Sequence, residues 1–238
     1  MIGLETGVAL GLLGGFLALD RTAFLQCMVS RPLVASTLAG VLLGEMHLGM
    51  RCGLLLELLW LMDPPVGASV PPDESLAAVL SATYASLTPA GWALPARAAL
   101  GILLGLPFGY LGRWVDVRVR RANGRLIARA REGREGSSLG RLQRIGAVRF
   151  FVAGAAAAVA GAFAGAPLVA HLAMAVPPKV VAALEWSGGL LPVVGVAAVL
   201  AALPGRTNRA LFGAGVLGGL VLPRLLAVPW PGRGPWAR

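Results

Sequence analysis

The chain has 238 residues, 57% of them hydrophobic and 13% charged, with a mean hydropathy of +0.75. Soluble domains run about 45–50% apolar and ~25% charged, so the composition excludes an ordinary soluble enzyme and indicates an all-α polytopic membrane protein. The net charge of +10 does not indicate nucleic-acid binding, because eleven of the 21 basic residues, all Arg, lie within 113–149 with a single aromatic residue, Trp114, among them until Phe150.

At about 20 residues per span, the apolar sequence predicts roughly six to eight membrane segments within a single membrane-embedded domain, 1–238. The first apolar run, 2–19, lacks a basic leader and carries Glu5, so it is expected as a membrane segment rather than a signal peptide. Asp20-Arg21 ends it. The second run, 32–44, starts at Pro32, a residue suited to the first turn of a helix. It covers only ~20 Å at 1.5 Å per residue, against a ~30 Å hydrocarbon core. Runs 48–62 and 74–89 are also short. Three undersized pieces in succession, punctuated by Pro, Gly and carboxylates, predict broken or re-entrant helices. Such helices are tolerated at membrane depth where protein or a wet cavity surrounds them.

Residues 91–112 are long enough to cross, with Pro95, Arg97 and Pro107 expected to bend or shorten the helix. The Arg-rich block 113–149 follows, with only Asp116, Glu132 and Glu135 against its arginines. It is expected as a cytoplasmic loop against anionic lipid head groups. Next come a Gly/Ala-rich run, 150–176, a run at 180–203 that Pro192 is expected to interrupt, and a last run at 210–228. The apolar runs do not alternate with period two, which excludes a membrane β-barrel. Four-residue glycine spacings at Gly11–Gly15, Gly101–Gly105–Gly109, Gly161–Gly165 and Gly215–Gly219 mark candidate faces for close helix packing.

The stretch LLLELLWLMDPPVGASVPPDESLAAVL, 54–80, carries the candidate site. Glu57 stands among leucines, and an ionisable residue in such a setting normally faces a cavity or a partner. Two readings stay open for it: a polar contact in a permeation site, or a structural bond, either pairing with Arg31 or Arg51 or capping a broken helix. Asp63 opens a loop containing two Pro-Pro pairs, which stop helix continuation and remove backbone donors. Ser69 lies within that loop, and Asp73 is placed to cap the helix starting near Glu74. Unwound backbone with a hydroxyl and carboxylates offers the mixture of donors and acceptors that sugar hydroxyls require. Trp60 is placed to stack on a ring or anchor at the interface. His47 and His171 are isolated, and Cys27 and Cys52 show no metal-ligand spacing, so no metal or cofactor is expected.

The segments SRPLVASTLAGVLLGEMHLGM (30–50), GLLLELLWLMDPPVGASVPPDESLAAVL (53–80) and, more loosely, GGLLPVVGVAAVLAAL (188–203) carry a family resemblance. The chain resembles the IIC membrane subunit of the mannose/fructose/sorbose family of the bacterial phosphoenolpyruvate-dependent sugar phosphotransferase system. The resemblance implies an elevator-type permease subunit in the cytoplasmic (inner) membrane, hetero-oligomeric with a IID membrane subunit and served by cytoplasmic IIA and IIB phosphocarriers. A hexose-type sugar would pass through the IIC/IID pair and be phosphorylated from IIB, so no phosphoryl-transfer residue is expected in this chain. Glu57, Ser69 and Asp73 match acidic and loop positions of the family block, and Asp20 matches its early acidic position; with Asp63 these are the candidate sugar contacts. Glu45 departs from the pattern, standing where the family more often has Asp. Two other functions are compatible with these features: a non-transporting regulatory component of an incomplete phosphotransferase set, and a cation-coupled carrier.

Overall fold

The computed structural model describes residues 2–24, 26–60, 69–131 and 138–225. Among them are eight helices and no strand: α1 (Leu4–Thr22), α2 (Pro32–Leu42), α3 (Met46–Trp60), α4 (Glu74–Ser86), α5 (Leu94–Arg131), α6 (Leu139–Ala175), α7 (Pro178–Ala202) and α8 (Arg206–Leu225). Each apolar run of the sequence holds one helix. By length and composition α5, α6 and α7 are long and apolar enough to cross a membrane. The described residues fall into two compact units, one up to Pro192 and one from Val193.

In the first unit, α2 and α3 form a tight helical hairpin of 11 and 15 residues, about 16 and 22 Å long. Neither helix reaches across the ~30 Å hydrocarbon layer. The turn between them uses Gly44 at φ +72°, a conformation open to glycine at no steric cost. The two backbones touch at Gly40 and Gly49, and Ser36 Oγ donates to Gly49 O at 2.7 Å. The Glu45 carboxylate, just past the turn, accepts at 2.9 Å from Arg97, a buried side chain on α5 that also donates to Thr88 Oγ1 at 3.1 Å.

Helix α4, 13 residues long, is buried along nearly its whole length. It lies antiparallel to α5, with Gly101 and Gly105 against Ser81 and Ala85, and Gly109 beside Ala77. The Gly101–Gly105–Gly109 spacing is thus a helix-packing face. On its other side α4 meets α6, where Gly161 and Gly165 receive Leu80 and Tyr84. The Tyr84 hydroxyl donates to Gly161 O at 2.7 Å and is buried. Tyr84→Phe should cost about 1 kcal/mol, read as a small downward shift in the thermal unfolding of detergent-solubilised protein with transport retained. Helix α1 lies antiparallel to α6, with Gly11 against Val159 and Gly15 against Phe151.

Two expectations are corrected here. The Arg-rich segment, expected as a loop over 113–149, is helical over 113–131 and 139–149, continuing α5 and α6. At 38 residues, α5 is ~57 Å long, well beyond one hydrocarbon thickness. Pro107, Pro167 and Pro192 all sit inside uninterrupted helices, so Pro192 does not divide the 180–203 run.

The second unit holds the end of α7 and α8. The Gly205 turn at φ +80° separates them, and Arg209 Nε donates to Leu203 O at 3.1 Å. Val193, Val194, Leu211 and Leu217 are all more than half exposed, as expected for surfaces that meet lipid or another subunit. A methyl group added at Gly215 would meet nothing within 4 Å, so its spacing to Gly219 marks no contact among the described residues.

Candidate functional site

The short helices bring their charged ends to one level of the first unit. The site begins at α4. Asp73 Oδ1 accepts from Leu76 N at 3.0 Å, the helix cap expected from the sequence. Its own N–H donates to Gly109 O on α5 at 2.7 Å. So close an approach requires the glycines of α5, since a methyl group at Gly112 would collide with the Asp73 side chain.

Arg21, at the end of α1, then links three elements. Its guanidinium lies 3.5 Å from Asp73 Oδ2 and donates at 2.8 Å to Asp116 Oδ2 on α5. Asp116 is buried, and its other oxygen accepts from Arg120 Nε at 2.9 Å, one helical turn along. Arg21 Nε is itself buried with no hydrogen-bond partner among the described residues. Arg21, Thr22, Asp73, Ser75 and Asp116 border a cavity of about 30 Å³. That is room for a water molecule and far below the ~300 Å³ at which small-molecule pockets begin.

Glu57 takes up the second half of the cluster. Its carboxylate accepts from Arg31 Nε at 2.8 Å and pairs with the same guanidinium through Nη2. The second oxygen accepts from Leu33 N at 3.2 Å, in the first turn of α2. Glu57 therefore pairs with Arg31 and caps a neighbouring short helix, two of the structural bonds left open by the sequence. Arg51 is not its partner; Arg51 Nε is buried without a hydrogen bond among the described residues. Arg31 also reaches Glu74 at 3.4 Å. Because Asp73 and Glu74 are adjacent, the two halves form one constellation of four carboxylates and three guanidiniums. The carboxylates outnumber the cations by one, which leaves acceptor capacity beyond what the arginines use.

Asp20 stands beside this cluster. It is buried, and its carboxylate accepts from Cys27 N and Ser30 N, both at 2.8 Å, and from Cys27 Sγ at 3.2 Å. Ser30 O in turn accepts from Ser75 Oγ at 2.7 Å, which ties the α1–α2 connection to the start of α4. Ser69 is exposed, in non-helical backbone four residues before Asp73, and makes no side-chain hydrogen bond among the described residues. Asp63 lies outside the described residues. Trp60, the last residue of α3, packs half-buried against the core.

The structure thus brings Glu57 and Asp73 into one charged cluster, sets Asp20 next to it, and leaves Ser69 exposed and outside the cluster's hydrogen bonds among the described residues. Among the described residues no group of three or more His, Cys, Asp or Glu side chains is placed to hold a metal ion. The sequence reading missed Arg21 and Asp116. Their signals were an Arg at the end of the first apolar run and a lone carboxylate amid arginines, 95 positions apart.

Residues 6–222 match the family model described as the PTS system sorbose-specific IIC component. The sorbose-specific EIIC component of Klebsiella pneumoniae is 29% identical over 193 residues, 79% of this chain and 70% of that protein. The mannose-specific EIIC component of Escherichia coli K12 is 29% identical over 174 residues, 71% of this chain and 63% of that protein. Among solved structures, one described as a membrane protein superposes with a TM-score of 0.71 at 23% identity over the full length of both chains. The mannose transporter ManYZ in complex with microcin E492 gives a TM-score of 0.57 at 23% identity, covering 98% of this chain and 97% of that one. At these identities the two solved structures speak to the fold alone.

Proposed function

The chain belongs to the family of PTS system sorbose-specific IIC components, and from that membership we propose that it is the IIC half of a hexose permease. It is a multi-pass membrane protein of a family whose members act within multi-component phosphotransferase complexes. In this reading it sits in a bacterial inner membrane and forms the translocation path with a IID subunit. The sugar is phosphorylated on the cytoplasmic side from a IIB partner supplied by IIA, with no phosphoryl-transfer residue in this chain. Glu57, Ser69, Asp73 and Asp20, with Asp63 from the connecting segment, serve the sugar.

The observation that carries the reading is the charged cluster at the ends of α1 to α4. Short helices, capped by carboxylates and enclosed by protein, place polar groups inside an apolar fold. Such placement is costly unless the groups are paired or functional. The excess carboxylate suits a ligand rich in hydroxyl donors. A cavity of about 30 Å³ is too small for a hexose, so loading requires the cluster to open. A rigid-body slide of the short-helix group, as in an elevator, would open it.

The test is labelled-hexose uptake in a strain lacking its own copy, with the IID, IIA and IIB proteins co-expressed. Glu57→Gln and Asp73→Asn should each lower uptake at least about tenfold, the loss of one charge-assisted hydrogen bond, at unchanged membrane abundance. The accumulated product should be sugar phosphate. Normal uptake by both variants would remove the site assignment. Unmodified sugar, with uptake abolished by a protonophore, would favour a cation-coupled carrier. No uptake by the wild type with all partners present would favour a regulatory component.

A further inference from the structure

One face of α5 changes chemistry in order along its length. Leu103, Pro107, Tyr110, Trp114, Arg118 and Arg121 follow one another at three- and four-residue steps, and all are exposed. Such spacing puts them on one side of the helix. The face therefore runs from aliphatic through aromatic to cationic over 19 residues, about 27 Å end to end. A bilayer presents the same order, from hydrocarbon through the aromatic belt to the phosphates.

At the aromatic-to-cationic step lies an open groove of about 390 Å³, lined by Tyr110, Arg113, Trp114, Val117, Arg118 and Arg121. The Arg118 guanidinium stacks on Trp114 with its carbon 3.6 Å from the ring centroid, which holds the cation against the helix. Arg113, Arg118 and Arg121 have no ion-pair partner among the described residues. Arg120, seven residues from Arg113 and so on the same side of the helix as that residue, is held away by its bond to Asp116. Charge beside that buried carboxylate is neutralised by protein, whereas the charge along the groove meets no carboxylate among the described residues.

We propose that this face of α5 binds the phosphate headgroup of an anionic glycerophospholipid, with Arg113, Arg118 and Arg121 on the phosphate and Tyr110 and Trp114 flanking the glycerol level. An acidic protein surface would satisfy the three arginines equally well, but it gives no reason for the aliphatic-to-aromatic gradient that precedes them. A lipid explains both. The inference requires only that α5 cross the membrane, and it stands apart from the sugar assignment.

The test is native mass spectrometry of the full-length chain in mild detergent, titrated with phosphatidylglycerol or phosphatidylcholine of identical acyl chains. Wild type should retain phosphatidylglycerol adducts at least about tenfold more strongly than phosphatidylcholine, because three basic residues at a lipid surface each favour the anionic head group. The triple variant Arg113→Gln/Arg118→Gln/Arg121→Gln should lose that preference. A charge-matched control, Arg125→Gln/Arg129→Gln/Arg141→Gln, should keep it, and inorganic phosphate at equal concentration should not displace the lipid. Equal loss in both triples would reduce the effect to diffuse charge, and displacement by inorganic phosphate would make the ligand a free anion. Unchanged lipid binding together with loss of a co-purifying membrane subunit in the first triple would make the face a protein interface. Any of these outcomes overturns the proposal.

Discussion

Gly105→Val should abolish accumulation of the protein in the membrane. A methyl group on Gly105 would lie 2.8 Å from Ser81 N and 2.9 Å from Ser81 Cα, both backbone atoms of the neighbouring helix α4. The approach of α4 to α5 thus depends on glycine, as in membrane interfaces held by van der Waals packing of small residues. Backbone atoms cannot turn aside as a flexible side chain can, so the helices must separate. Overpacking of this kind costs about 1–3 kcal/mol and occasionally more. The larger figure is expected here because α4 is buried along nearly its entire length, and displacing it also moves Asp73 away from Gly109. Gly124→Ala is the matched control. Gly124 lies on the same helix with nothing within 4 Å of an added methyl group, and the change should stabilise by about 1 kcal/mol through helix propensity. Quantitative immunoblotting of membrane fractions, followed by thermal unfolding of the solubilised variants, separates the two.

Asp116→Ala should rank next. Its side chain is 4% exposed and bridges Arg21 and Arg120. Removing the carboxylate leaves the Arg21 guanidinium, 15% exposed, with two longer contacts, to Asp73 Oδ2 and to Pro72 O, both at 3.5 Å. Breaking a buried pair by deleting one partner typically costs about 3–5 kcal/mol. The Arg21 head is partly hydrated, so about 3 kcal/mol is expected. The double variant Arg21→Met/Asp116→Leu should recover most of that loss, because an apolar pair of similar volume removes both desolvation costs. If the double variant is instead the sum of its two single variants in a thermal-unfolding cycle, the two side chains are not coupled and the cluster is not the unit described above.

Much of the architecture was legible in the sequence because hydropathy and helix length are local properties. The undersized runs 32–44, 48–62 and 74–89 hold α2, α3 and α4, and Asp73 caps α4 as its position before Glu74 indicated. The Arg block was misread as a loop because charge dominated the reading. Arg, Ala and Leu are good helix formers, and the Asp116–Arg120 pair at i,i+4 supports the helix, so α5 continues beyond its apolar stretch. Pairing of Glu57 with Arg31 or Arg51 was one of the readings the sequence left open, and packing of α2 against α3 selects Arg31. Arg21 and Asp116 stayed out of reach because no local pattern relates two residues on helices that meet only through tertiary packing. Within the cluster, Glu57, Asp73 and Arg31 were legible from the sequence, whereas Arg21, Asp116 and Arg120 came only from the packing of α1 against α5 and from α5 continuing as a helix.

We propose that the sugar reaches this cluster at its Asp73 end, four residues along the chain from Ser69. In a Cys27→Ser background, which removes the exposed native thiol, a Ser69→Cys variant reports on that end through its rate of labelling by a maleimide in membranes. A hexose that the cells take up should slow the labelling, while a hexose that they do not take up should leave it unchanged. Labelling that proceeds at one rate under every transported hexose would contradict the account.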